Sequence, residues 1–218
     1  MADYKNNTKI LKPRISNDLS ALPLLKKDIL DETSFSEAIF SHCHIENCQA
    51  KRVSFKQIIF DNVVFTDVLL QYSDFTDVRF ENCDLSNVDF RESSIYRVEF
   101  INCKLVGTNL SESTLRNVRF NKCNGKYAFF RFTDCVQILF DNCQLGLSDF
   151  QESKFSKVEF KNTDMSQCQL FGTSLSGMDL SECDIDGLGV RLQDIKGVIV
   201  TSMQALALST LMGIVIKE

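Results

Sequence analysis

Tryptophan is absent from this chain, and proline (2) and glycine (9) are scarce for 218 residues. That scarcity excludes collagen-like and proline-rich extended chains and argues against a long disordered tract. No apolar run is long enough to span a bilayer, and the opening stretch, MADYKNNTKILKPR, lacks the apolar segment of a secretory leader. The nine cysteines are therefore expected to stay thiols in a reducing, cytoplasmic setting without membrane association. Only two histidines occur, and GxSxG, P-loop, GxGxxG and HExxH patterns are missing. Neither enzymatic activity nor a bound cofactor is expected. The net charge of −5 is modest for a chain of this size.

Phenylalanine is what the chain has in excess, and fifteen of the 18 fall in one phase of a five-residue repeat. From Leu30 to Val200 every fifth residue is a centre: 15 Phe, 10 Leu, 4 Ile, 2 Val and one each of Met, Ala, Cys and Gly. Two residues before each centre, from Thr33 to Val198, 29 of 34 positions are Cys, Val, Ser, Thr or Ala. Neither the 3.6 period of a helix nor the 2.0 period of a strand makes such a pattern. It describes a short inward-facing step followed by a corner.

A longer period lies over the short one. Phe recurs at 40, 60, 80, 100, 120, 140 and 160, Cys at 83, 103, 123 and 143, and Asn at 62, 82, 102, 142 and 162. Four pentapeptides thus close one turn, and residues twenty apart stack. The architecture expected is all-β, a right-handed quadrilateral β-helix of about nine coils with a short C-terminal helix. Coils about 4.8 Å apart, as parallel strands are, make a rod of roughly 40 Å. Small residues at the second inward position keep four large centres from overcrowding the axis. Stacked Asn side chains at the corner are placed to bond one another. The frame runs from Leu30 to Val200 without an insertion, and Gly125 is the one gap among its centres, where a void is expected.

Three segments follow. Residues 1–27 carry six basic and two acidic side chains and read as an N-terminal arm whose LPLL (22–25) covers the first coil. Residues 28–200 are the repeat. Residues 201–218 hold a helix at SMQALALSTLM (202–212), ended by Gly213, and then an extended IVIKE. The apolar residues Met203, Leu206, Leu208, Leu211, Met212, Ile214, Val215 and Ile216 exceed what one coil end needs for cover, so a two-fold dimer through this segment is expected. A monomer with a simple cap is the alternative.

His42, Cys43, His44 and Cys48 have the residue types of a metal site, but their phases send the cysteines inward and the histidines outward, so no metal is expected. A filled rod leaves its outside for function, and that means binding. Charge along the axis alternates: −6 over residues 61–100, +4 over 101–140 and −5 over 141–218. Net acidity disfavours direct binding of nucleic acid. In KYAFFRF (126–132), Tyr127, Phe129 and Phe132 fall in outward phases beside Arg131. They are either a protein-binding patch or rings lying flat over the Gly125 void.

The repeats SDFTD, CDLSN, TNLSE, SDFQE, MDLSE and CDIDG resemble the A(D/N)Lxx pattern of pentapeptide-repeat proteins. The ending SMQALALSTLMGIVI resembles the C-terminal dimerisation segment of the quinolone-resistance branch, the Qnr- and MfpA-type proteins. CKLVGTNLSESTL and KYAFFRF are similar to the loop-less Qnr-type proteins of Gram-positive bacteria. This resemblance implies a homodimeric DNA mimic that binds DNA gyrase or topoisomerase IV and lowers quinolone susceptibility, with carboxylates standing in for phosphates. The acidic residues it implicates are Asp61, Asp67, Asp74, Asp77, Glu81, Asp84, Asp89 and Glu92 on one belt. On the other are Asp141, Asp149, Glu152, Glu159, Asp164, Asp179, Glu182, Asp184 and Asp186. The alternative is an interaction scaffold for another protein, engaged through the Tyr127, Phe129 and Phe132 face.

Overall fold

The computed structural model describes residues 9–16, 19–21, 29–215 and 217. Ten strands occur among them: β1 (Ser20–Ala21), β2 (Ser34–Ser41), β3 (His44–Lys51), β4 (Ser54–Asp61), β5 (Val64–Gln71), β6 (Asp74–Glu81), β7 (Ser94–Ile101), β8 (Thr114–Asn121), β9 (Asp134–Asp141) and β10 (Lys154–Lys161). One helix, α1 (Ser202–Ser209), follows. Every pairing is parallel. One sheet runs β1-β2-β4-β6-β7-β8-β9-β10, and β3 pairs with β5 in a second. From β2 onward the register advances by twenty, placing Phe40, Phe60, Phe80, Phe100, Phe120, Phe140 and Phe160 side by side. After β5 the second pair of faces continues as single parallel bridges, as far as Asp179 with Ile199. The result is a parallel β-solenoid whose centres face one core.

The core follows from that stacking. Along the main Phe column, ring centroids from Phe60 to Phe160 lie 4.7–4.9 Å apart and the rings are nearly parallel. Rings on the adjoining face meet them edge-on, as Phe130 meets Phe140 at 5.8 Å and 88°. Each such pair adds about 0.5–1.5 kcal/mol beyond the area it buries. The small inward position also has a polar task. Ser73 Oγ accepts from the Val53 amide, and Ser93 Oγ accepts from the Ser73 amide, both at 3.1 Å. The thiols of Cys83, Cys103, Cys123 and Cys143 donate to the carbonyls of Phe60, Phe80, Phe100 and Phe120 at 3.3–3.4 Å. A small polarizable group suits the slot because it fills little volume and still satisfies a backbone oxygen.

The corners have a strict conformation. From Glu32 to Gln167 every fifth residue has a left-handed φ of 46–68°. Asn tolerates this region, which explains its recurrence, whereas residues such as Tyr127 and Phe132 hold it at a cost of about 1–2 kcal/mol each. Inter-coil hydrogen bonds compensate: the Asn62 amide donates to Glu81 O and the Asn82 amide to Ile101 O. The amide stack exists in part, since Asn102 Nδ2 donates to Asn82 Oδ1 at 2.8 Å and Asn82 Nδ2 reaches Asp61 Oδ1 at 3.4 Å.

Three expectations are corrected. Leu30 is not an inward centre: it is 62% exposed, and Ile29 is buried in its place, because the first coil has no earlier coil to hold the frame. Gly125 leaves no void, since Leu145 leans into the space and its Cδ2 would stand 2.9 Å from an added Cβ. In the last coil Asp194 is buried and Gln193 exposed, as Asp194 turns in to accept from the amides of Gly172 and Arg191.

The ends differ from the expected caps. LPLL lies outside the described residues. Ser20 and Ala21 pair with Ala38 and Ile39, covering that edge of the first coil. Residues 9–16 do not cap at all but lie lengthwise on one corner of the rod, as described below. At the other end α1 stops at Ser209, a 3-10 turn spans Thr210–Met212, and Gly213 closes it with φ 72°. Thr201 and Gln204 form a capping box, and Gln204 Nε2 also donates to the carbonyls of Leu180 and Cys183. No helix among the described residues is long and apolar enough to cross a membrane.

Candidate functional site

Each carboxylate is placed by its position in the pentapeptide, so the acidic residues distribute over all four faces rather than one. Two of them are not at the surface. Asp77 is 4% exposed, with both oxygens bonded to the Arg97 guanidinium at 2.5 and 2.6 Å. Asp89 is also buried, held by Arg91 and by Gln71 Nε2. Burial alone would raise both pKa values, but these hydrogen bonds outweigh it and hold both carboxyls below the usual range. Asp77 and Asp89 are therefore structural anions, not parts of an acidic face.

Five more of the expected carboxylates are ion-paired. Asp84 pairs with Lys104, Asp141 with Arg119, Asp149 with Arg131, Glu152 with Arg191 and Glu159 with Lys161. Three of those cations, Lys104, Arg119 and Arg131, belong to the +4 segment, and a fourth, Arg116, pairs with Asp134. The basic belt is thus largely neutralised by its neighbours. Summing charge along the chain hid this, because neutralisation runs between neighbouring coils. The signal was present: 77 and 97, and 84 and 104, are twenty apart.

Ten of the acidic residues make no ion pair among the described residues: Asp61, Asp67, Asp74, Glu81, Glu92, Asp164, Asp179, Glu182, Asp184 and Asp186. Five of them gather near the C-terminal end. Asp164 and Asp184 are parallel bridge partners one coil apart. Asp179, Glu182 and Asp186 are exposed on the same stretch of chain. Local bonds fix three of these carboxylates, as Ser166 donates to Asp164 Oδ1, Ser181 to Asp179 Oδ1 and the Asp186 amide to Asp184 Oδ1. In each case the second oxygen is left for another partner. At the other belt Asp61 and Glu81 stand in register on β4 and β6, and Glu92 bonds the Tyr72 phenol and pushes its pKa up.

The aromatic patch is exposed: Tyr127 53%, Phe129 41% and Phe132 58%, with Arg131 beside them. With no void at Gly125, the rings are not lids over one. Leu147 (42%), Phe171 (38%) and Leu192 (50%) are also exposed, and sequence reading had missed them. Leu147 follows Tyr127 by one coil and Leu192 shares the corner phase of Phe132, so a search for apolar residues in outward phases would have found both.

His42 and His44 are exposed, Cys43 is half-buried and Cys48 buried. Among the described residues no three His, Cys, Asp or Glu side chains are grouped to hold a metal. All nine cysteines are free thiols. In the C-terminal segment Met203, Leu206, Leu211, Met212, Ile214 and Val215 are exposed, Val215 by 93%, and only Leu208 packs partly on the core. Ile216 lies outside the described residues.

Residues 73–150 match a family model described as a pentapeptide repeat region, and residues 148–187 match one described as pentapeptide repeats, eight copies. No curated protein matches the chain. Solved structures similar to it include HetL of the cyanobacterium Nostoc sp. strain PCC 7120, a pentapeptide repeat protein involved in heterocyst differentiation regulation. That likeness is 12% identical over 80% of this chain and 92% of the other, with a TM-score of 0.41. Full-length QnrB1, a plasmid-mediated fluoroquinolone resistance protein, is 19% identical over 89% of this chain and 100% of its own, with a TM-score of 0.31. A pentapeptide repeat protein from the Arabidopsis thaliana thylakoid lumen is 17% identical over 52% and 72%, with a TM-score of 0.25.

Proposed function

This chain belongs to the pentapeptide-repeat proteins, and from that premise we propose that it is a non-enzymatic DNA mimic that binds a type II topoisomerase, DNA gyrase or topoisomerase IV, and lowers quinolone susceptibility. The observation that carries the reading is the group Asp164, Asp179, Glu182, Asp184 and Asp186. None of these carboxylates has an ion pair among the described residues, those of Asp164, Asp179 and Asp184 are fixed by local hydrogen bonds, and the group adjoins the exposed apolar C-terminal segment. A rigid array of anions set on a parallel ladder offers a basic protein surface what a phosphate backbone offers it. Dimerisation through Met203, Leu206, Leu211, Met212, Ile214 and Val215 would bring two such arrays together about a two-fold axis and lengthen the anionic surface.

The mechanism needs no chemistry on the partner. Electrostatic attraction brings the rod to a basic DNA-binding surface, and its width keeps DNA out. The test is binding of the intact protein to immobilised, reconstituted gyrase at low and moderate salt. Saturable binding that weakens as salt rises supports the reading. Absence of binding across micromolar concentrations contradicts it.

A second reading rests on a separate observation, the exposed Tyr127, Phe129, Phe132, Leu147, Phe171 and Leu192 around Arg131 and Arg191. That composition suits a protein interface, so the chain is alternatively a scaffold for another protein partner. Phe132→Ser and Leu192→Ser together separate the two: under the topoisomerase reading gyrase binding survives them.

A further inference from the structure

Corner residues elsewhere on the rod are exposed, apart from the half-buried Gly107 and Gly172, yet along one column they are covered. Gln57, Asp77, Arg97, Asn117 and Gln137 are alternately half-buried and buried, with Asp77 at 4% and Asn117 at 6% exposure. What covers them is the chain's own residues 9–16. Gln137 Nε2 donates to Lys9 O at 3.1 Å, Asn117 Oδ1 accepts from the Leu11 amide at 3.1 Å, and Asp77 Oδ1 accepts from the Arg14 amide at 2.8 Å. Three residues of extended chain, about 10 Å, match two coil spacings, so the segment lies in step with the ladder.

The recognition is of backbone rather than side chain. All three bonds go to main-chain atoms, and Pro13, which has no amide hydrogen, falls where none is needed. Ile10, Pro13 and Ile15 are half-buried, whereas Lys9, Leu11, Lys12 and Arg14 are exposed. Arg97 completes the floor. It is bonded to Asp77 and lies 4.1 Å over the Tyr96 ring, so the carboxylate that receives Arg14 is held rigid.

We propose that this corner is a peptide-binding groove that holds an extended segment by its main chain, that residues 9–16 are its resident ligand, and that the same segment of a second copy of the chain can replace them. The groove is read independently of the topoisomerase assignment.

A protease site inserted after Ser16 of the full-length protein, then cut, frees the resident segment without removing it. A fluorescent peptide TKILKPRIS, corresponding to residues 8–16, is equilibrated in excess with cut and uncut protein and followed by anisotropy. Saturable binding to the cut protein, and binding at least about tenfold weaker to the uncut protein, is expected, because the tethered segment competes at high effective concentration. The same peptide N-methylated at the position of Leu11 loses the bond to Asn117 and is expected to bind about tenfold more weakly. Equal binding to cut and uncut protein, no binding to cut protein, or indifference to N-methylation overturns the proposal. So does loss of the strand signal in circular dichroism on cutting, which would make the segment an integral part of the rod.

Discussion

Asp184 stands one coil from Asp164 in the same ladder position, a parallel bridge pair of two carboxylates with no ion pair to either among the described residues. Like charges so placed are unfavourable for folding, by about 0.2–1 kcal/mol. Packing gives no reason for the pair, since both side chains lie outside the core.

Relieving the pair should therefore separate stability from binding. Asp184→Asn keeps the acceptor for the Asp186 amide and removes the repulsion. A rise in Tm of about 1–3 °C is expected, together with weaker gyrase binding. Differential scanning fluorimetry and the binding assay read the two effects. A variant that loses stability, or binds as before, contradicts the assignment.

Phe100 lies 4.9 Å from Phe80 and 4.8 Å from Phe120 in near-parallel stacking. Phe100→Asp puts an unpaired carboxylate into that column and should cost more than about 4 kcal/mol, enough to prevent folding. Phe100→Leu should cost only about 1–2 kcal/mol, as a partial cavity does. Thermal melts distinguish them, and a folded Phe100→Asp would mean that the centres do not face inward.

Burial pushes the thiol of Cys135 up to about 12 and those of Cys168 and Cys183 up to about 11. The folded chain keeps these protons to higher pH than the unfolded chain, so their contribution is complete below about pH 8.5 and declines as pH rises toward 11. Melting temperature is expected to fall through that alkaline window. At neutral pH Ellman's reagent should label at most the half-buried Cys43 in native protein and all nine thiols after denaturation. Rapid native labelling of several thiols would argue against a dry core.

No residue of α1 is buried and Val215 beyond it is exposed, so charges placed at these positions should leave the rod intact. Met203→Asp with Val215→Asp is expected to convert a two-chain particle into a single chain in light scattering, with unchanged strand content. A wild-type protein of single-chain mass would rule out the C-terminal dimer.

Much of the fold was readable because one physical requirement repeats. A coil of twenty residues forces Phe60, Phe80 and Phe100 into one column, and the periodicity states it directly. The corner was visible in the recurring Asn, although Tyr127 and Phe132 hold the same left-handed backbone without any compositional hint. The candidate surface was less readable. Ion pairs such as Asp84 with Lys104 follow from column positions, which a sum along the chain does not resolve. The burial of Asp77 depends on residues 9–16 returning to lie on a distant corner, a contact between positions 63 apart that no local pattern announces. Leu30 and Asp194 depart because the end coils have a neighbour on one side only.

The most direct test of the functional account is quinolone-stabilised DNA cleavage by purified gyrase with the intact protein titrated in. The account predicts that cleavage falls as protein is added, and that Asp164→Lys with Asp184→Lys abolishes the effect while the rod stays folded. Cleavage and supercoiling that both remain unchanged across micromolar protein would contradict it.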